Sequence, residues 1–433
     1  MTSVLTGTER AVRAARSVGG SVRVPGDKSI SHRAALFNAL GSGRASISHF
    51  SPGGDCTSTL DCLRDLGVDV ERQGEHVRVT GRDLRGFEEP TDVLDCGNSG
   101  TTMRMFSGVL AGSGIYAVLN GDSSLRRRPM ARVVEPLRRA GARIEGRDGG
   151  RLAPLTIMPA DLNGVDHQLN VASAQVKSAL LLAGLFADGA TSVVEPAQTR
   201  DHTERMLQAM GAQLDRDGPR CTVRPSELRC VDVEVPGDFS SAAFWLVLGV
   251  LHPHAEVHVQ NVGLNPSRTG LLTILERMGA HVEIEHERDV AGEPVADLVA
   301  WSSQLSVTHV GGELVPLAID EISLVALLGL FADGETVVED AQELRAKESD
   351  RLAVVAEGLR TLGGDIEATQ DGWRIKGGSR LRGGAVDAHD DHRMAMLLAL
   401  AGALGEGAAI AGAESVAISY PGFWDDLQRL TSA

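Results

Sequence analysis

Six times along the chain, a run rich in Ala, Leu and Gly is entered through small or polar residues. The runs begin near Asp27, Asn98, Ala172, Asp238, Asp320 and Asp391, a spacing of roughly 70 residues that marks an internal repeat. Two of them, Ser178 to Phe186 and Ile322 to Phe331, are apolar on nearly every side, which predicts helices buried all round rather than amphipathic surface helices. Most runs stop at a glycine signal, as at Gly41-Ser42-Gly43, Gly112-Ser113-Gly114 and Gly405-Glu406-Gly407. A strand-like alternation follows each.

Each period then carries a second helix with its own pattern. Cys62 to Val70, Leu137 to Ile144, Leu207 to Leu214, Leu275 to Val282 and Leu359 to Ile366 all read as an apolar helical face, a glycine stop and alternating strand residues. The sixth copy, Phe423 to Leu430, has no strand after it, and the segment before Pro25 is expected to supply the missing one. A period this long exceeds that of solenoid repeats, so each unit is expected to be a small βαβαββ layer. Six units divide into two groups of three. The turn Val235-Pro236-Gly237-Asp238 resembles Val24-Pro25-Gly26-Asp27, which predicts one domain from residues 1–22 with 237–433, a second from 23–236, and hinges near 21–24 and 235–238.

Composition narrows the function. The 433 residues are 42% hydrophobic and 23% charged, with a net charge of −16; this is ordinary globular material that lacks the basic surplus expected of a partner for nucleic acid or an anionic membrane. Cys56, Cys62, Cys96, Cys221 and Cys230 have no C-x-x-C spacing, so neither a disulfide framework nor a metal site is expected, and a cytoplasmic location fits. Met1 to Ser21 holds no continuous apolar core, which argues against a secretory leader.

The polar residues gather at the helix starts. Lys28, Ser29 and Arg33 open the first run, Asn98, Ser99, Gly100, Thr101 and Arg104 the second, and Ser173, Gln175 and Lys177 the third; Asp320 and Glu321 open the fifth, and Asp391, His392 and Arg393 the sixth. Basic clusters lead into second helices at Arg126 to Arg128, at Arg200 and at Lys347 to Arg351. Free N–H groups and the positive end of the dipole make helix starts anion sites, and guanidinium forks match phosphate and carboxylate. The expected ligands are therefore anionic and phosphorylated, with Asp320 and Glu348 as the acid–base candidates in a cationic setting. Asp27, Asp320, Asp391 and Ser173 also suit helix capping, and His32 and His392 suit structural hydrogen bonding. A P-loop is excluded, because Asp27 stands where Gly-Lys-Ser needs its glycine.

The runs Pro25-Gly26-Asp27-Lys28-Ser29, Gly97-Asn98-Ser99-Gly100-Thr101, Arg128-Pro129, Ser173-Ala174-Gln175, Lys347-Glu348-Ser349-Asp350-Arg351 and Asp391-His392-Arg393-Met394 resemble the 5-enolpyruvylshikimate-3-phosphate synthases, from about residue 17 onward. The resemblance implies a two-domain inside-out α/β barrel of six βαβαββ repeats, three per domain, with the active site in the cleft between domains. It implies enolpyruvyl transfer from phosphoenolpyruvate to the 5-hydroxyl of shikimate 3-phosphate, releasing phosphate, by a monomer with no metal or organic cofactor. Carried over by position, Lys28, Gly100, Arg128, Gln175, Arg351 and Arg393 would hold phosphoenolpyruvate. Lys28, Ser29, Arg33, Ser173, Ala174, Gln175, Arg200, Asp320 and Lys347 would hold shikimate 3-phosphate. The catalytic set would be Asp320, Glu348 and Lys28, with Asp320 as base and either Lys28 or Glu348 protonating the methylene carbon. Ser29 after Lys28, and the lack of cysteine in Asn120 to Arg127, favour this acceptor over UDP-N-acetylglucosamine, the acceptor of the sister enzymes. Many members carry a lysine where Ile418 precedes Ser419-Tyr420-Pro421, so no ligand role is expected there. Gly100 implies sensitivity to glyphosate, which occupies the phosphoenolpyruvate region in this family, although Met105 replaces a common proline.

Overall fold

The computed structural model describes residues 9–290 and 292–432; the start of the expected first domain, and the first part of the Met1 to Ser21 stretch read for a leader, lie outside the described residues. The chain forms two compact units, one made of the residues up to Pro25 and from Pro236 on, the other of Gly26–Val235.

Each repeat lays down one small sheet. In the second, Leu94–Asp95 pairs in parallel with Ala117–Asn120, which runs antiparallel to Leu152–Met158, itself antiparallel to Arg143–Gly146. An inner helix, Gly100–Ser113, links the parallel pair, and an outer helix, Ala131–Arg139, leads to the hairpin. The third repeat, with inner helix Ala174–Gly184, and the fifth, with Ile322–Phe331, have the same strand order. In the sixth, Gly384–Asp387 pairs in parallel with Ala408–Ala411, and Arg10–Val12 completes that sheet in antiparallel register. The missing strand thus does come from the segment before Pro25.

The first and fourth repeats exchange their leading strands. Val18–Arg23 precedes the first inner helix, Lys28–Ala39, yet pairs in parallel with Ala255–Gly263 of the fourth repeat. Val233–Glu234 precedes the fourth inner helix, Phe239–Leu251, yet pairs with Arg44–Ser48 of the first. The two Val-Pro-Gly-Asp turns are where the chain passes from one unit to the other. Both need glycine for space: a Cβ at Gly26 would sit 1.8 Å from the His49 carbonyl oxygen, and one at Gly237 would sit 2.9 Å from that of Asn261. Val24 is packed in the core of the unit that contains Trp245, and Val235 in that of the other unit, so the division falls at Pro25/Gly26 and Val235/Pro236, a few residues from the expected boundaries.

The inner helices build both cores. All thirteen residues of Phe239–Leu251 are buried, and Ile322–Phe331 and His392–Leu404 pack in the same cluster. Gly100–Ser113 and Ala174–Gly184 do the same for Gly26–Val235. Each fully buried Leu or Phe contributes about 1.5–3 kcal/mol, so these helices hold their sheets by packing and leave their N-termini for polar chemistry. Among the described residues no helix is long and apolar enough to cross a membrane, and all five cysteines are free.

Candidate active site

Within Gly26–Val235 the starts of three inner helices are bonded to one another. Asp27 caps the first, accepting from Ile30 N at 2.8 Å, which leaves Lys28 at the first helical position with Nζ 2.9 Å from Asp55 Oδ2 on the outer helix Gly54–Asp65. Ser29 presents its hydroxyl to Arg200 Nη1 at 3.2 Å. Arg33 is buried one turn on, donating to the Ser29 carbonyl, Ser178 Oγ and Thr203 Oγ1 at 2.9, 2.7 and 2.8 Å. This joins the first helix to the third.

The second helix start joins the third through Gln175, whose Oε1 accepts from Arg104 Nη1 and whose Nε2 donates to Thr101 Oγ1 at 2.9 Å. Ser173 caps that third helix through Val176 N, so Ala174 and Gln175 form its first turn. Arg128, at the end of the basic run, donates to Asn98 Oδ1 at 2.6 Å. Gly100 lies between the guanidinium groups: a Cβ there would be 2.9 Å from Arg104 Nη1 and 3.4 Å from Arg128 Nη1.

Within the other unit the centre is Asp320. Its carboxylate lies 3.5 Å from Arg268 Nη1, 3.6 Å from Lys347 Nζ, 3.9 Å from Arg351 Nη1 and 3.8 Å from Arg393 Nη2. Arg393 Nη1 also bonds the Asp320 carbonyl at 3.1 Å. Arg351 is the hub: Nη2 meets Glu348 Oε2 at 2.7 Å, and Nε meets Asp391 Oδ2 at 2.8 Å. Burial alone would lift the Asp391 carboxyl, but the Arg351 guanidinium outweighs it and holds the group below the usual carboxylate range. Asp391 in turn caps the sixth helix through Arg393 N at 3.0 Å. Glu321, fully buried, is pushed the other way, chiefly by desolvation.

Asp320 does not cap its helix, contrary to the capping expectation. The fifth inner helix begins at Ile322 with Glu321 at the cap position and no side-chain cap bond, whereas the other five inner helices are capped by Asp27, Ser99, Ser173, Asp238 and Asp391. The carboxylate is spent on the cations instead. Lys177 is a second correction: it is 0% exposed and held between Glu195 at 2.8 Å and Glu204 at 2.7 Å, an internal ion cluster rather than a helix-start ligand. His32 is also structural, bonding Thr59 Oγ1 at 2.7 Å, with burial and then Lys28 and Arg33 driving its basicity well below normal. Tyr420 is core, bonded to Trp245 and Asp426.

A profile of the family described as EPSP synthase (3-phosphoshikimate 1-carboxyvinyltransferase) matches residues 12–427. The chain belongs to the EPSP synthase family. A 3-phosphoshikimate 1-carboxyvinyltransferase of Synechococcus sp. (strain RCC307) is 54% identical over 424 residues, covering 96% of this chain and 97% of its own. One from Geobacillus thermodenitrificans (strain NG80-2) is 50% identical over 418 residues, again covering 96% of this chain and 97% of its own. Among solved structures, an EPSP synthase from Acinetobacter baumannii superposes with a TM-score of 0.87 at 40% identity, covering 98% of each chain. The enolpyruvyl transferase NikO from Streptomyces tendae, at 18% identity and a TM-score of 0.78 over 98% of each chain, shares the fold. This mixed α/β fold is thus common to the EPSP synthases and an enolpyruvyl transferase far from them in sequence.

Two members of these networks escaped the sequence reading, Asp55 beside Lys28 and Arg268 beside Asp320. Asp55 carries no signal beyond its place in an outer helix. Arg268 stands at the entry to an outer helix, as Arg128, Arg200 and Arg351 do, and the repeat alignment would have found it.

Proposed function

We propose that the helix-start set of Gly26–Val235 and the set around Asp320 both bind the anionic groups of the substrates, and that Asp320, Glu348 and Lys28 carry out the proton transfers. The reaction is that of the EPSP synthase family: transfer of the enolpyruvyl group of phosphoenolpyruvate to shikimate 3-phosphate in the shikimate pathway. Ser29, Arg33, Ser173, Ala174, Gln175 and Arg200, with Lys28, Asp320 and Lys347, bind shikimate 3-phosphate. Lys28, Gly100, Arg128, Gln175, Arg351 and Arg393 bind phosphoenolpyruvate.

Asp320 takes the proton of the acceptor's 5-hydroxyl, and the oxygen's electron pair forms the bond to C2 of phosphoenolpyruvate. Lys28 or Glu348 gives a proton to the C3 methylene, which becomes a methyl group. The tetrahedral adduct then returns a methyl proton to that residue, the C2–O bond to phosphate breaks with its electron pair and the C2–C3 double bond re-forms as the enol ether, while the proton held by Asp320 leaves with the phosphate. The observation that carries this reading is the one carboxylate turned away from helix capping toward four cations. Such a group is aimed, as a base must be. The free thiols support a cytoplasmic setting, and we take the single chain as the working unit.

The test is phosphate release from phosphoenolpyruvate with each acceptor offered alone. Release with shikimate 3-phosphate and none with UDP-N-acetylglucosamine is expected. The reverse pattern overturns the substrate assignment.

A further inference from the structure

Arg268 belongs to neither substrate-binding set, yet it touches more of the Asp320 network than any one ligand residue needs to. It sits in the loop before the outer helix Gly270–Arg277, where Asn265 Oδ1 accepts from Ser267 N and Ser267 Oγ at 2.9 and 2.7 Å and Asn265 Nδ2 donates to Glu293 Oε2 at 2.9 Å. That loop is therefore fixed before the arginine leaves it. The side chain is 5% exposed. Nη2 reaches Asp238 Oδ1 at 3.1 Å and Ser240 Oγ at 2.7 Å, and Nη1 reaches Asp320 Oδ2 at 3.5 Å and Glu321 Oε1 at 3.9 Å. Ser240 Oγ donates onward to Glu321 Oε1. One planar fork thus spans the start of the fourth inner helix and the uncapped start of the fifth.

The repeat gives this position a meaning. A cation stands at the entry to the outer helix in the second repeat as Arg128, in the third as Arg200 and in the fifth as Arg351, the first residue of its helix, and all three fall in the proposed substrate-binding sets. In the fourth repeat the equivalent residue, like Arg351, is turned onto its own unit's carboxylates, where a rigid guanidinium fixes direction as well as charge.

We infer that Arg268 is a positioning residue: it orients the Asp320 carboxylate for removal of the acceptor's proton and anchors it to the crossover turn at Asp238. The inference rests on Asp320 being the base. Among the described residues the charged groups facing that carboxylate include Arg268, Lys347, Arg351 and Arg393, with Glu321 beside it on the chain and Asp238, Glu348 and Asp391 bound to the same guanidinium groups. Three cations remain when Arg268 is replaced, so substrate anions still bind.

The experiment compares Arg268→Gln, Arg268→Lys and Asp320→Asn by steady-state kinetics from acid to alkaline pH, with thermal melting of each. Arg268→Gln is expected to lose about 10- to 100-fold in kcat, the scale of a misaimed catalytic group, with KM for phosphoenolpyruvate little changed. Its acid limb of kcat moves to higher pH by about one unit, because the loss of a cation a few ångströms away disfavours the carboxylate form. Arg268→Lys keeps the charge and loses the fork, so its acid limb stays near wild type while kcat falls. Wild-type kcat in Arg268→Gln overturns the proposal, and so does a fall in kcat that comes with a lower melting temperature and an unmoved acid limb. If Arg268→Gln does not fold, wild-type kcat in Arg268→Lys overturns it equally. An Asp320→Asn variant that keeps full turnover refutes the earlier assignment of the base instead, which separates the two failures.

Discussion

The two units orient their charges by different means. In Gly26–Val235 neutral oxygens are prominent among the partners of the helix-start arginines: Ser29, Ser178 and Thr203 for Arg33, Gln175 and Pro129 for Arg104, Asn98 for Arg128, and Ser29 for Arg200, while Lys28 meets the Asp55 carboxylate. Around Asp320, Arg268 and Arg351 are held by carboxylates, those of Asp238, Asp320, Glu348 and Asp391. A neutral acceptor aims a guanidinium without cancelling its charge, so an incoming phosphate or carboxylate still finds most of the attraction. A carboxylate partner cancels the charge but fixes both members, which suits groups that must hand over a proton in one direction. On the proposed roles, the neutral-oxygen scaffold favours affinity and the carboxylate-bound one favours turnover.

The sharpest test of that contrast sets one residue of each kind side by side. Asp320→Asn should lose about 100- to 10,000-fold in kcat, the usual range for a positioned base, with KM for phosphoenolpyruvate close to wild type. Arg128→Gln should instead raise that KM, because it removes a bidentate anion partner. Steady-state kinetics of the two variants decides it. Comparable losses in the same parameter for both would erase the division of labour.

Much of this was legible from pattern. Buried inner helices have no polar face, so their polar residues can only stand at the ends, and Lys28, Gln175, Asp320 and Arg393 were found that way. The strand donated by Arg10–Val12 was also readable, since the sixth copy ran out of chain. What the pattern could not give was direction. An aspartate at a helix start reads as a cap, and only the placement of Arg268, Lys347, Arg351 and Arg393 reveals that Asp320 is not one. Lys177 shows the converse: one turn past Ser173 it looks like a ligand, but the helix phase points it at Glu195 and Glu204. Asp55 and Arg268 are long-range partners, 27 residues from Lys28 and 52 from Asp320, beyond the reach of local spacing.

Lys177 offers a second way to sharpen the comparison, because this cation of Gly26–Val235 is held between two buried carboxylates. Thr199, bonded to Glu195, directly precedes Arg200. Lys177→Met would leave Glu195 and Glu204 facing each other without a cation, and breaking a buried pair costs about 3–5 kcal/mol. Denaturant unfolding should register that loss. In the folded fraction, KM for shikimate 3-phosphate should rise more than kcat falls, through the displaced Arg200. Unchanged stability would show that this cluster is dispensable and that charge in this unit serves ligands alone.

The smallest expected effect comes from one carbon at Gly100. The added methyl would meet Arg104 Nη1 at 2.9 Å and Arg128 Nη1 at 3.4 Å, so it presses on the ends of two flexible side chains rather than on backbone. Alanine at the first position of Gly100–Ser113 also gains up to about 1 kcal/mol of helix propensity over glycine. Folding should therefore be nearly unaffected. What must shift is the Arg104 guanidinium, and Arg104 is bonded to Gln175, so the disturbance falls on the proposed phosphoenolpyruvate contacts. Overfilling a packed site costs about 1–3 kcal/mol, and 1.4 kcal/mol is about tenfold in affinity. The natural substrate, being short, should feel the low end of that range and glyphosate, being longer, the high end. Gly100→Ala is thus expected to raise KM for phosphoenolpyruvate by a few-fold and the glyphosate inhibition constant by about tenfold or more, with a melting temperature within a degree or so of wild type. Equal shifts for substrate and inhibitor would mean that the neutral-oxygen scaffold of Arg104 and Gln175 yields as a whole, and that Gly100 does not set the length of ligand this unit accepts.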